Sequence, residues 1–156
     1  MIDPFELVAA LVAMLRDIPE IVCELDGDSG RIRAYRDQYP KQSSLSLSIS
    51  EMPVPSVLVA WQGGGPGMLD GAQVWKHRLA VYQRPRAVMD DDPPSATRLW
   101  HLFVNGVPAS TGQKLLYSTV HPDCYPMDLP SCDRARDEQG LDYFVVNVSF
   151  TEIGDN

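Results

Sequence analysis

The residues that decide the fold are PSVLVAWQGGGPGM, 55–68. An apolar run stops abruptly in glycine and proline. Val57–Trp61 contains no polar residue, the pattern of a strand covered on both faces. Downstream, WKHRLAVYQ at 75–83 alternates. Trp75, His77, Leu79 and Val81 point one way, and Lys76, Arg78 and Tyr82 point the other, which is a strand with two unlike faces. Two strands joined by a glycine-rich connection make a hairpin. The connection is expected to be a long loop, from about Gln62 to Gln73.

A glycine-rich loop after a strand can also cradle phosphate. That chemistry needs the glycines to run into a helix N-terminus, with Lys and Ser or Thr following. GGGPGMLDGAQ has no Lys, Ser or Thr, Pro66 removes a donor, and a strand follows. The stretch therefore reads as a hairpin tip that orders on docking. Loops of that length without structure are commonly functional or disordered.

Outward from the hairpin, Asp3-Pro4-Phe5-Glu6 is a helix start: a capping Asp, Pro at the first helical position, and Glu completing a capping box. Phe5, Val8, Leu11, Val12 and Leu15 form its apolar face, widened by Leu7, Met14 and Ile18, and Pro19 is expected to end it. DGDSGR at 26–31 is a turn. Residues 31–44, with Tyr35 and Tyr39, read as a polar excursion. SLSLSIS at 44–50 suits a strand or a short helix, and Pro53 and Pro55 break the backbone after it.

Residues 84–95 are linker-like and lead to a second helix. Ser95 is its expected N-cap, the run Asp90–Asp92 suits its positive end, and Asn105-Gly106 closes it. Leu99, Trp100, Leu102, Phe103 and Val104 form its apolar side. Leu115–Val120 is expected to be a strand and 121–140 a long loop. The last strand is expected over Tyr143–Ile153, with Phe144, Val146, Val148 and Phe150 on one face and Asn147, Ser149 and Thr151 on the other. The element order implies one domain over 1–156 of class α+β: a mainly antiparallel mixed sheet with helices packed on one side.

Composition narrows function. The chain has 156 residues, 44% hydrophobic and 22% charged, enough to fold around a core, and a formal net charge of −8. That balance argues against a nucleic-acid groove, which needs clustered Lys and Arg. Three cysteines, Cys23, Cys124 and Cys132, are an odd count and read as reduced thiols. Asp3 and Glu6 stand where a leader peptide carries Lys or Arg, and the apolar run is interrupted too early for a membrane span.

Candidate chemistry is thin. DGDSG lacks the carboxylates of a calcium loop. His121, Cys124 and Cys132, with Cys23 or Asp123, lack the tight ligand pairs of zinc modules. His77, His101 and His121 have no nucleophile motif beside them, and Asp90, Asp91 and Asp92 form a solvated run. No catalytic, cofactor or metal site is expected.

The opening helix, the PSVLVAWQGG strand into its glycine-rich hairpin, the returning WKHRLAVYQR strand, the helix at 96–105 and the closing YFVVNVSFTEIGD strand together resemble the tail terminator family of long-tailed bacteriophages. These are also called tail completion, minor tail or tail-to-head joining proteins. The resemblance implies a virion protein with no cofactor. Its subunits, usually six, form a ring that caps the tail tube, stops its polymerisation and offers a surface to the head-side connector. DNA passes through such a ring without specific binding. Gly63, Gly64, Gly65, Pro66, Gly67, Asn147, Ser149 and Thr151 are the interface candidates. A head–tail stopper or adaptor is the nearest alternative. A small cytosolic enzyme or ligand-binding domain, which would need a concave polar pocket, is the more distant one.

Overall fold

A computed structural model of the chain describes residues 2–35, 50–84, 95–128, 135–136 and 142–151. Helix α1 (Pro4–Arg16) begins as its sequence dictates, with the Asp3 carboxylate accepting from Phe5 N at 2.9 Å. Leu7, Val8, Leu11, Val12, Met14 and Leu15 are buried along it. Pro19 does not terminate this helix but opens the next. The chain leaves α1 at Asp17, and α2 (Pro19–Glu24) starts with Pro19 in the first turn, where a missing N–H costs nothing.

A 3₁₀ turn (Ser29–Arg31) leads into β1 (Ile32–Ala34), a strand that the expected polar excursion hid. Its remainder, 36–49, including Tyr39 and most of SLSLSIS, lies outside the described residues. The long strands are β2 (Ser56–Leu69) and β3 (Ala72–Arg84). Helix α3 spans Ser95–Asn105 and β5 spans Asp142–Phe150, with a two-residue strand β4 (Ala135–Arg136) between them. Residues 85–94 of the expected linker, with Asp90–Asp92, and Ile153 of the expected last strand also fall outside the described residues.

The five strands lie in the order β1-β2-β3-β5-β4. Only β1 runs parallel to its neighbour; β2–β3, β3–β5 and β5–β4 are antiparallel. The class is therefore α+β, with a mainly antiparallel sheet. Leu115–Val120 is not a strand. Its backbone closes on itself as a 3₁₀ turn (Leu115–Tyr117), and Ser118 Oγ donates to Lys114 O at 2.9 Å, while Leu115 and Val120 drop into the core.

The main core lies between the helices and one face of the sheet. Val57, Val59, Leu79, Val81, Phe144, Val146, Val148 and Phe150 meet Leu7, Leu11, Leu15, Ile18, Leu99 and Phe103 there. Phe103 and Phe144 are 4.8 Å apart between ring centroids. Each large apolar side chain so buried contributes about 1.5–3 kcal/mol. The opposite face is not bare: Met52, Leu58, Ala60, Ala80 and Tyr82 form a smaller cluster, with Tyr143 5.0 Å from Tyr82. Two arginines brace the entry to β2. Arg84 donates to the carbonyls of Ser50 (2.7 Å) and Met52, and Arg31 to those of Val54 (2.9 Å) and Pro55 (3.2 Å).

One core position is out of character. Gln83 is 1% exposed, beside a small cavity lined by Leu15, Phe103 and Phe144 among others, and among the described residues neither end of its amide has a partner. An orphaned buried amide carries its desolvation cost without compensation. Gln83→Met, close in shape, should raise the urea midpoint by an amount worth about 1 kcal/mol. A lower midpoint would show that the amide stabilises the core.

Candidate functional site

The expected loop 62–73 does not exist. Strand β2 continues through the glycines to Leu69, and β3 begins at Ala72. Only Asp70 and Gly71 turn the chain, with φ of +50° and +80°. Positive φ at both central residues is the type I′ geometry that fits the twist of paired strands. The glycines are held extended by the partner strand. Gly65 opposes Lys76, Pro66 opposes Trp75 and Gly67 opposes Val74. Pro66 is admitted because β2 is an edge strand at this point, where a missing N–H need not break the ladder.

This hairpin outruns its sheet. Strand β1 accompanies β2 only as far as Val59, whose carbonyl accepts from Tyr35 N at 2.8 Å. On the other side, β5 stops with Phe150 opposite Trp75. Among the described residues, the edge of β2 from Ala60 onward faces no strand. Three residue pairs, Gly67–Val74, Met68–Gln73 and Leu69–Ala72, continue past Trp75 for about 10 Å, with Val74 buried and Gln73, Met68 and Ala72 exposed. Met68 is 59% exposed near the tip. Strand β2 has no charged residue along its whole length.

The root of the arm is a β-bulge. The register steps from Trp61–Leu79 to Gly64–His77, so Gln62 and Gly63 together oppose Arg78, and Gly63 takes φ +116°. His77 is the polar group here. It is 8% exposed, its Nδ1 accepts from Trp61 Nε1 at 3.0 Å, and its ring stacks on Phe150 at 5.4 Å. Burial holds its pKa below the ordinary histidine value. Gly64 lies against the ring; a Cβ there would stand 2.3 Å from His77 Nδ1 and 3.0 Å from Lys76 O. Only glycine fits under this histidine.

The other interface candidates fare differently. The expected open polar face of β5 is partly covered by residues 124–128. Tyr125 N donates to Ser149 O at 2.8 Å, and Asp128 and Asn147 exchange backbone bonds at 3.0 and 2.6 Å. Ser149 is buried and Asn147 half-buried, because this loop segment runs alongside β5 as a further edge. Thr151 is exposed at the base of the arm, its hydroxyl 2.8 Å from that of Tyr125.

The remaining chemical candidates stay apart. His121 Nδ1 accepts from Asp123 N at 3.1 Å and lies 3.8 Å from its carboxylate. Cys124 is buried, which with the neighbouring Asp123 charge pushes its thiol up to about 11. Cys23 is exposed on α2, and Cys132 lies outside the described residues. No group of three His, Cys, Asp or Glu gathers as a metal site among the described residues. In the DGDSG turn, Asp26 and Asp28 face Arg31 at 3.6 and 3.7 Å. His101 is exposed on α3, edge-on to Trp100. A surface cleft between α1 and β1 holds Arg16 and Arg33, but both guanidiniums are spent on backbone carbonyls: Arg16 on Ile32 O at 2.6 Å, Arg33 on Gly30 O at 3.1 Å.

No family model matches the chain, and no curated protein matches it significantly. Among the described residues, no helix is long and apolar enough to cross a membrane. The feature that stands out is the arm.

Sequence reasoning found its glycines but missed its order. Asp70-Gly71 between Met68-Leu69 and Ala72 was the available signal for a tight turn. Gly64→Ala should cost about 1–3 kcal/mol in urea unfolding, whereas Gly65→Ala, whose Cβ would meet nothing within 4 Å, should stay within about 0.5 kcal/mol. Thiol alkylation of the native protein at neutral pH, read by peptide mass, should modify Cys23 well before Cys124.

Proposed function

We propose that this protein is a structural subunit of a phage tail terminator ring. In this reading it caps the tail tube, ends tube growth and joins the tail to the head-side connector. The observation that carries the proposal is the hairpin arm: a charge-free strand whose outer edge, among the described residues, pairs with no further strand. An exposed, uncharged edge is a template for another chain, and natural proteins normally blunt it with charge. Along the outer half of β2 there is no charge, and Pro66 is the one edge-blunting residue in that strand. The arm thus has the character of a contact surface, and the closed ring would use a patch on one subunit against a different patch on the next.

Charge supports the same reading. A chain of net charge −8 can line a channel that DNA crosses without sticking. The Thr151–Tyr125 hydroxyl pair at the base of the arm would lie at the margin of the contact.

The test is assembly with purified tail tubes. Removing Gly67–Leu69 and Ala72–Val74 keeps the Asp70-Gly71 turn and the inner register. That variant should unfold cooperatively yet fail to cap tubes, judged by sedimentation and electron microscopy. Tubes left uncapped by the intact protein would refute the terminator role. Binding to portal-side rings instead of tubes would move the protein to a stopper or adaptor position.

A further inference from the structure

We infer that the Trp61–His77 hydrogen bond is a protonation-sensitive latch that holds the hairpin arm to the body of the sheet. The inference does not depend on the ring assembly. It rests on the geometry of the root. Nδ1 of His77 is an acceptor, so the neutral ring carries its proton on Nε2. A proton added at Nδ1 would set two N–H groups against each other across 3.0 Å. Turning the ring over does not restore the bond, because it puts the Cδ2–H, which cannot accept, where Nδ1 stood. Nor can the ring slide aside, with Gly64 against Nδ1 and Phe150 stacked on its face. The charged ring gains a new partner only by reaching water, and that requires Gly64 and the bulge to lift.

Charges around the ring offer no relief. Strand β2 contributes none. On β3, the flanking Lys76 and Arg78 alternate to the opposite face and are positive. Strand β5 presents Val148 and Phe150 to the ring. The segment beside Phe150 carries Cys124 and, next to it, the mutually paired His121 and Asp123. Among the described residues, no carboxylate forms an ion pair with His77.

The sign of the effect follows. The closed arm holds a histidine whose pKa is depressed, while the open arm exposes an ordinary one near 6.5. Closure is complete above about pH 6.5 and weakens as pH falls from there toward the depressed value. The response should be local. Beyond the bulge β3 keeps β5 as a neighbour only through Trp75–His77, whereas Leu79 and Val81 are fixed between β2 and β5 and sealed by the helices.

The experiment is nitrogen-15 NMR of the full chain between pH 7.5 and 4.5, with amide exchange measured at each end. The Trp61 indole signal is assigned by Trp61→Phe. The expected result is a shift of that signal with a midpoint below 6.5. Amides of Gly64–His77 should lose at least tenfold in protection by pH 5, while those of Leu79–Gln83 keep theirs. In His77→Phe, which retains the stack on Phe150 but cannot accept, the midpoint should vanish. Should that variant not fold, the ring nitrogen shifts of His77 in the wild type report the same titration directly. A Trp61 signal that stays fixed down to pH 4.5 would overturn the latch. So would arm and core amides losing protection together, or the same arm midpoint surviving in His77→Phe.

Discussion

The row of side chains that β3 presents to the helices is the contact everything else leans on. Val81 stands between Val59 and Phe144, and Leu79 between Trp61 and Val146. All of these except Trp61 are buried. Helices α1 and α3 have a floor to pack on only because these three strands share one register. His77 continues the same row, between Gly64 and Val148. The main core therefore does not end at the edge of the body; it runs out to the foot of the arm and stops in an aromatic stack and one hydrogen bond. Structural reliability and the placement of the arm depend on the same ladder.

The parts of this fold that read clearly in the sequence are those in which one local rule acts alone. The Asp3 cap, the alternation of β3 and the apolar face of β5 each follow from a periodicity or a capping residue, and each is where it was expected. The misreadings have specific causes. Proline at 19 reads as a stop, yet a first-turn proline is equally a start, and the extended backbone of the neighbouring Ile18 decides. The glycines at 63–67 have low strand propensity on their own. They are strand because β3 supplies partners and Lys76 lays its stem over Gly67, with its Cδ 2.9 Å from where a Cβ would be. Strand β1 is three residues long and pairs across a gap of more than twenty, which no window on the sequence detects. The cover over Ser149 is of the same kind: two isolated bridges from a proline-rich segment.

Charge and shape divide the molecule. The formal charge of −8 is distributed over the rest of the chain, while the longest strand carries none of it. At the opposite edge of the β1–β2 pair the outward carbonyl of Ile32 is already occupied by Arg16. One carbonyl of the β1 margin is thus taken by an α1 side chain and part of the β5 margin by the 124–128 segment, while the outer half of β2 faces no strand among the described residues. The ring proposed above rests on this margin, the uncharged outer edge of β2.

The bulge at Gln62 and Gly63 has a consequence for how the tip tolerates change. Before it, the odd-numbered residues Val57, Val59 and Trp61 look toward the helices; after it, the even-numbered Gly64, Pro66 and Met68 share that side, because Gly64 and Trp61 oppose alternate residues of β3. The doubled position reverses the parity of everything distal to it. A single codon gained or lost in the glycine run would therefore rotate Pro66 and Met68 to the reverse side without altering their identity or the turn. What the geometry requires of the run is a count, and a change of length there would be more damaging than exchange of any one residue at the tip.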